Sequence, residues 1–154
     1  MELISTDNNV DEIDYNVRVG CVVYMSYNWI MDSNLTDLEQ HIMFEGGTEA
    51  PFSGELLYEK RQGNFQCKNC GLILFTSDAK FDSQTGWPSF TEPVNMNNIV
   101  LRVDESHGMI RTEVLCVQCK AHLGHVFDDG PKNATGKRYC INSACLSFQK
   151  SAHT

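Results

Sequence analysis

The sequence lacks an apolar run long enough to cross a bilayer. Its longest apolar patch, VGCVVYMSYNWIM at residues 19–31, is short and interrupted by polar residues. The chain also lacks a basic segment leading into an apolar one at its start, MELISTDNNVDEIDYN, so that start resembles neither a secretory signal nor a mitochondrial presequence. These two absences lead us to expect a soluble, cytoplasmic protein with no membrane partner.

Positive charge is scarce as well. The chain has 12 lysines and arginines against 20 aspartates and glutamates, a formal net charge of −8, and its basic residues are scattered rather than gathered into a stripe. Nucleic acids and anionic membrane surfaces are bound by clustered basic side chains, so neither is an expected partner. With 154 residues the chain is close to the size of one domain, and a single core is expected.

The organisation of the chain changes near residue 35. Residues 1–35 show no clear periodicity and are interpreted as an N-terminal extension, with disorder as one alternative for it. A domain at 36–150 follows. Thr36 followed by Glu39 fits a capping box, which predicts a short helix near 37–45. The apolar runs that follow are short and separated by turn residues, a pattern that predicts a mainly β domain.

Two CxxC pairs carry the strongest chemical signal, Cys67 with Cys70 and Cys116 with Cys119. Four thiolates match the tetrahedral ligand set of a structural zinc ion, which leaves no open coordination position for a substrate. Each pair can also be interpreted as a redox dithiol, but redox CxxC motifs open a helix after a strand, and neither pair lies in helix-like sequence. We therefore predict a structural zinc that joins distant parts of the domain.

The segment RYCINSACLSF, residues 138–148, contains two more cysteines. Read as one regular strand, it places Arg138, Cys140 and Asn142 on one face and Cys145 on the other. A guanidinium beside a thiol favours the nucleophilic thiolate, which makes Cys140 the candidate nucleophile; the alternative is a small buried hydrophobe, our interpretation of Cys145. In an extended strand Cys145 lies too far from Cys140 for a disulfide.

The segments AHLGHVFDDG and FDSQTGWPSF hold further candidates, each with a structural alternative. His122 and His125 suit general acid work, orientation of an oxygen or, less well in strand-like sequence, a metal site. Asp128 and Asp129 either hold those rings or form a turn. Trp87 is either a core residue or the wall of a small apolar pocket.

Taken together, these motifs resemble one family. GGTEAPFSGE, the two CxxC pairs, KFDSQTGWPSF, SHGMIRTEV, AHLGHVFDDGP and TGKRYCINSACLSF occur in the order seen in methionine-R-sulfoxide reductases, the MsrB family, over roughly residues 46–148. The resemblance implies two antiparallel sheets, a structural zinc on the four CxxC cysteines and Cys140 as nucleophile. It also implies site roles for six further residues: Trp87, His122, His125, Asp129, Arg138 and Asn142.

By this resemblance, Cys140 reduces methionine R-sulfoxide to methionine and becomes a sulfenic acid, while His122, His125 and Asn142 bind or protonate the sulfoxide oxygen. Trp87 packs against the substrate methyl group, and Asp129 and Arg138 help to bind the substrate. The expected substrates are oxidised proteins or free methionine sulfoxide, in a role of repair under oxidative stress, and the expected enzyme is a monomer.

The sequence departs from the family pattern at one position. Many family members carry a second, resolving cysteine two residues before the tryptophan, where this sequence has Thr85. Three routes of regeneration remain open: direct reduction by thioredoxin or another thiol, which we favour, a movement that brings Cys21 to Cys140, or rearrangement with Cys145. Two other classes also remain as alternatives: a non-catalytic zinc module that binds a protein partner, and a cysteine hydrolase.

Overall fold

The structure is a computed structural model that describes residue 32 and residues 34–152. Nine β-strands and one α-helix lie in this part of the chain. Cys21 and almost all of the extension predicted at residues 1–35 lie outside the described residues. No helix among the described residues has the length and apolar character that crossing a membrane requires. The helix and strands are α1 (Asp37–Glu45), β1 (Gly63–Cys67), β2 (Ile73–Thr76), β3 (Lys80–Phe81), β4 (Ser89–Phe90), β5 (Ile99–Asp104), β6 (Arg111–Cys116), β7 (His122–Phe127), β8 (Arg138–Ile141) and β9 (Leu146–Lys150).

Helix α1 begins and ends as the sequence predicts. The Thr36 side chain accepts from the backbone N–H of Glu39, and the Glu39 carboxylate accepts from the backbone N–H of Thr36, so the predicted capping box is present. Gly46 ends the helix in the left-handed conformation, where its backbone N–H satisfies the carbonyl of His41. The buried side chains of Ile42 and Met43 fix the helix to the domain.

The strands form two antiparallel sheets, which confirms the predicted fold class. One sheet has three strands in the order β2-β1-β9, and the other has six in the order β3-β4-β8-β7-β6-β5. Aromatic side chains from both sheets meet in one core: Phe75 of β2 stacks on Phe90 of β4 with ring centroids 4.3 Å apart, and Phe65 of β1 meets the same ring edge-on at 5.0 Å.

The strand period of two separates the core face of the larger sheet from its outer face. Phe90 pairs with Tyr139, and both are buried in the core. Their neighbours Ser89 and Cys140 also pair with each other, so they lie on the opposite face of the sheet, where Cys140 has His125 of β7 as its other cross-strand partner. The outer face of three adjacent strands is therefore where polar and reactive side chains meet.

The C-terminal segment differs from the interpretation as one regular strand, which is wrong beyond Ile141. Strand β8 ends there, a 3₁₀ turn follows at Ser143–Cys145, and β9 then continues in the other sheet. The turn carries the chain from one sheet to the other and places Cys145 in the core, fully buried, with its thiol donating to the carbonyl of His122 at 3.2 Å. Hydrophobic patterning within the segment does not reveal this break, because every residue on both sides of it suits a strand.

Candidate active site

A cavity of about 210 Å³ opens on the outer face of the larger sheet. Five of the predicted site residues line it, namely Trp87, His125, Arg138, Cys140 and Asn142. The other residues that line it are Thr48, Thr85, Arg111, Gly124 and Phe127. A larger depression of about 820 Å³ lies beside α1 and β9, but no cysteine, histidine or tryptophan lines it, so we place the chemistry in the smaller cavity.

Two of the predicted residues stand outside this lining. His122 lies on β7 beside His125, with the two ring centroids 5.4 Å apart, and it borders a different depression, next to α1. Asp129 lies in the turn after β7 and reaches the cavity through its contact with Arg138. The structure thus gathers five of the seven predicted non-metal residues around one space and places the other two in contact with members of that group.

Close approach of β7 and β8 brings His125 to Cys140. Gly124 is the residue before His125, and a side chain on it would collide with the backbone of β8, since a Cβ there would lie 2.0 Å from the carbonyl oxygen of Cys140. Glycine at this position lets the two strands pair closely, and directly opposed residues in such a pair have neighbouring side chains. In the AHLGHVF motif, Gly124 is therefore needed for the packing of the two strands, and His125 next to it supplies the imidazole.

Burial is the main influence on the Cys140 thiol, and it raises the pKa above the ordinary value of 9.0. The positive charge of Arg138 and hydrogen bonds from Thr85 and Arg138 act in the opposite direction without cancelling it. The raised pKa favours the thiol over the thiolate at neutral pH. Arg138 thus favours the thiolate as the sequence predicts, but the sequence shows this neighbour and not the burial that outweighs it.

Each histidine is held by a carboxylate. His125 donates its Nε2–H to Asp104 Oδ2 at 2.7 Å, and its Nδ1 has no hydrogen-bond partner among the described residues. His122 donates its Nδ1–H to Glu113 Oε1 at 2.7 Å. Burial lowers the pKa of His125 below 6.5 despite the opposing effect of Asp104, so the ring is neutral at pH 7 and offers Nδ1 as a proton acceptor.

Arg138 is fixed by three contacts. Its Nε and Nη2 donate to the two carboxylate oxygens of Asp129 at 2.8 and 3.1 Å, and its guanidinium lies over the ring of Phe127, 4.4 Å from the centroid. The ion pair lowers the pKa of Asp129 and keeps that carboxylate charged. Asp129 therefore fixes the guanidinium of Arg138 in one orientation beside Cys140.

Glu49 connects the elements that surround the cavity. Its backbone N–H donates to Asn142 Oδ1 at 3.1 Å, and its backbone carbonyl accepts from Trp87 Nε1 at 3.1 Å. Its buried carboxylate accepts from the backbone N–H groups of Ser143 and Ala144 at the start of the 3₁₀ turn. One residue therefore fixes both the indole and the amide that face the cavity, although sequence reasoning gave Glu49 no role.

Asn142 is held from two sides. Besides accepting from Glu49, it donates one Nδ2–H to the carbonyl of Leu123 at 3.0 Å. A primary amide has two N–H donors, so one remains for a ligand in the cavity. The side chain is only 4% exposed, which makes it a preorganised donor rather than a mobile one.

The four CxxC cysteines converge at the ends of β1 and β6. Their sulfur atoms all lie within 4.8 Å of one another, and Cys67 to Cys119 and Cys70 to Cys116 are 3.6 and 3.5 Å apart. Sulfurs bound tetrahedrally at about 2.3 Å from zinc are about 3.8 Å apart, so the cluster has the size and the donor set of a zinc site.

Both CxxC turns have the same backbone geometry. The residue after each second cysteine has positive φ, Gly71 at 79° and Lys120 at 61°, and its N–H donates to the carbonyl of the first cysteine at 2.8 Å in each turn. In each turn the first cysteine also donates its own N–H to the carbonyl two residues beyond the second one. Two matching turns that face each other are the arrangement a four-thiolate metal site requires.

Comparisons with known proteins agree with this geometry. A family model described as the SelR domain matches residues 35–150, and a peptide methionine sulfoxide reductase MsrB from Bradyrhizobium diazoefficiens is 54% identical over 115 residues, 75% of this chain and 82% of that protein. The chain belongs to the MsrB family. A solved structure of the Mis18 yippee-like domain is also similar, with 20% identity and a TM-score of 0.49 over 60% of this chain and all of that one.

Membership of the MsrB family makes the protein an enzyme of the peptide methionine sulfoxide reductase class, and the predicted resemblance is confirmed. Sequence reasoning on the MsrB motifs did not identify several residues that the structure places at or beside the cavity. Glu49 and Arg111 lie within quoted motifs without an assigned role, whereas Asp104 lies just before SHGMIRTEV. Their contacts join strands or loops far apart in the chain, so spacing alone gives no signal for them.

Proposed function

We propose that the protein reduces methionine R-sulfoxide to methionine, with Cys140 as the nucleophile and oxidised proteins or free methionine sulfoxide as the substrate. The observation that carries this proposal is the composition of the cavity: an oxidisable thiol, a neutral imidazole directly opposite it and a fixed indole wall. Methionine sulfoxide presents a methyl group and a polar oxygen on one sulfur. Trp87 offers an apolar surface to the methyl group, and Asn142 and His125 offer polar atoms to the oxygen.

The first step moves one oxygen atom and one proton. As the Cys140 sulfur attacks the sulfoxide sulfur, a sulfur–sulfur bond forms, and the thiol proton passes to His125 Nδ1 and from there to the sulfoxide oxygen. The protonated oxygen then bonds to the Cys140 sulfur while the sulfur–sulfur bond and the original sulfur–oxygen bond break, which releases the thioether. The overall change converts the thiol and the sulfoxide into a Cys140 sulfenic acid and a thioether, so the cysteine sulfur loses two electrons and the methionine sulfur gains them. A thiol and a neutral imidazole together supply the one proton that this step needs.

The sulfenic acid is then reduced by an external thiol, in our proposal thioredoxin or a small thiol. Two thiols return Cys140 to its reduced form and leave as a disulfide with one water. Within the described residues no thiol is placed to do this: the side chain at the position of the resolving cysteine is Thr85, and Cys145 is fully buried in the core. The route through Cys21 stays a hypothesis, because that residue lies outside the described part of the chain.

We further propose that residues 36–150 form the catalytic domain, with residues 1–35 as an extension, and that zinc occupies the four-cysteine cluster. Bound zinc would supply a structural cross-link, with Cys67, Cys70, Cys116 and Cys119 as its four ligands. The site lacks an open position once the four sulfurs are bound, so no catalytic step is assigned to it.

The epimers of blocked methionine sulfoxide test the reaction class. With dithiothreitol as reductant, we expect the zinc-loaded protein to reduce the S epimer at least about 100-fold more slowly than the R epimer. The reason is that a fixed indole and a fixed amide accept only one arrangement of the methyl group and the oxygen. Each epimer is incubated separately and methionine is quantified by chromatography. Equal rates on the two epimers, or turnover of an activated ester with an acyl-enzyme burst, would contradict the proposal.

The pH profile of kcat/KM for the sulfoxide tests the proton path. Because this ratio reports the free enzyme, we expect a plateau near neutral pH, with the midpoint of its acid limb below pH 6.5 and that of its alkaline limb above pH 9.0, since the pKa of His125 is lowered from 6.5 and that of Cys140 is raised from 9.0. Below the plateau the imidazole is protonated and accepts no proton; above it the thiol has lost its proton to solvent. The H125N variant should lose the acid limb. A rate that rises tenfold per pH unit up to pH 9 would show instead that a thiolate formed without His125 is the reacting species.

A further inference from the structure

Three hydroxyl groups form a chain behind the catalytic thiol. Thr85 lines the same cavity as Cys140, a hydrogen bond from Thr85 lowers the pKa of the Cys140 thiol, and Thr85 Oγ1 lies 2.8 Å from Ser83 Oγ. Ser83 Oγ lies 2.7 Å from Ser89 Oγ, which in turn lies 3.1 Å from the backbone carbonyl of Trp87. The chain therefore runs from Thr85, beside Cys140 in the cavity, to a carbonyl that can only accept.

The fold holds this chain in place at both ends. Ser89 of β4 is the cross-strand partner of Cys140 and is 1% exposed, so its hydroxyl has no access to bulk water. Thr85 lines the cavity, and Ser83 lies between the two with both neighbours in hydrogen-bond distance. Each hydroxyl has one hydrogen to donate, so the orientation of one fixes the orientation of the next.

Two orientations of the chain satisfy these distances. In the first, the Cys140 thiol donates to Thr85, Thr85 to Ser83, Ser83 to Ser89, and Ser89 to the Trp87 carbonyl. In the second, all three hydroxyls are rotated, Ser89 donates to Ser83, Ser83 to Thr85, and Thr85 donates to the Cys140 sulfur. Only the second orientation leaves the thiol proton free to face His125, and only it provides a donor to the sulfur once that proton has gone.

We propose that Thr85, Ser83 and Ser89 form a reversible hydroxyl relay that delivers a hydrogen bond to the Cys140 sulfur when its proton is transferred. Thr85 is then a positioning and stabilising residue for the reaction, in a chain that has no thiol at this position. The inference rests on the proposed function for its catalytic meaning, but the relay itself concerns the thiol alone. No bond between heavy atoms forms or breaks in the relay; three hydroxyl groups rotate and one proton leaves the sulfur.

The charged and titratable groups around the sulfur make this donor necessary. Arg138 favours the thiolate, Asp129 opposes it, and His125 and Arg111 line the same cavity, with Asp104 behind His125. Burial outweighs the attraction of Arg138, so a further donor stabilises the thiolate, and Thr85 is the hydroxyl that lines the cavity beside Cys140. A hydrogen bond to a charged group is also stronger than one between neutral groups.

Alkylation of Cys140 by iodoacetamide measures this effect without any sulfoxide. Rates are followed against pH in the intact zinc-loaded protein. Modification is assigned to Cys140 rather than Cys145 by fragmentation of the peptide 139–150, which contains both, in the mass spectrometer. We expect T85V to raise the apparent pKa of Cys140 by about one unit and to lower kcat/KM for the sulfoxide by about tenfold. The T85S variant, which keeps the hydroxyl, should stay within about twofold of the wild type, and S83A should lie between the two because it breaks the relay one link further away.

The matched control is T76V, an identical change at a half-buried position on β2 where the hydroxyl caps nothing. We expect it to leave the alkylation profile unchanged. An unchanged alkylation pKa in a folded T85V protein, or a T85S protein that behaves like T85V, would overturn the relay. A failure of the proposed function looks different: the protein would reduce neither epimer, yet the Thr85 variants would still shift the alkylation profile.

Discussion

Replacing Cys140 with serine is expected to lower the reduction of methionine R-sulfoxide by at least about 1,000-fold, to the limit of detection. Loss of a nucleophile costs rates of this order or more, because the remaining groups bind the substrate but have nothing to transfer the oxygen to. A serine hydroxyl has nearly the shape of the thiol, so the cavity keeps its form. A hydroxyl oxygen cannot take up the sulfoxide oxygen, as a thiol sulfur does when it becomes a sulfenic acid.

Steady-state turnover of the R epimer with dithiothreitol is the measurement, together with zinc content and thermal unfolding of the same samples. The matched control is C145A, which removes the buried cysteine of the 3₁₀ turn. It should destabilise the domain by about 1 kcal/mol and leave kcat/KM close to the wild-type value, because the residue faces the core. Appreciable turnover by folded C140S protein would show that Cys140 is not the nucleophile, whereas inactivation by C145A without unfolding would show that Cys145 takes part in regeneration.

The sequence permitted accurate prediction wherever a physical requirement falls within a few neighbouring residues. The capping box of Thr36 and Glu39 and the strand that contains Arg138 and Cys140 are of this kind, because helix ends and strand faces follow from local spacing. The sulfurs of the two CxxC pairs, although distant in sequence, are also found together. Their residue type and spacing are so restrictive that few other arrangements satisfy them.

The remaining features depend on distance in space and on burial. Glu49 contacts Asn142 and Ser143 across more than ninety positions of sequence, and no local pattern marks a glutamate for that role. The raised pKa of Cys140 has a related cause. Arg138 is visible two residues away in sequence, but the burial that outweighs it is a property of three strands and a loop packed together.

Loss of the proposed zinc ion has the largest expected effect on stability. The cluster joins the end of β1, in the three-stranded sheet, to the end of β6, in the six-stranded sheet, and three of its four cysteines are buried. Structural zinc contributes about 10–16 kcal/mol in small metal-binding domains, whereas a whole domain is stable by about 5–15 kcal/mol. Without the ion, four sulfurs within 4.8 Å would have to remain together as thiols in the core, with no ligand bonds to hold the two sheets.

We therefore expect C116A to lose zinc and either to lower Tm by about 15 °C or more or to show no cooperative transition. Far-ultraviolet circular dichroism on heating and a colorimetric zinc assay on the unfolded protein measure the two quantities. C145A serves again as the control, because it is also a buried cysteine changed to alanine but is not one of the four in the cluster, and it should retain one zinc per chain. Because both variants replace a buried cysteine with alanine, a zinc-free C116A protein that unfolds within a few degrees of C145A would rule out a structural metal. Retention of fold with loss of activity would instead place the cluster in the chemistry, as the dithiol interpretation of the CxxC pairs requires.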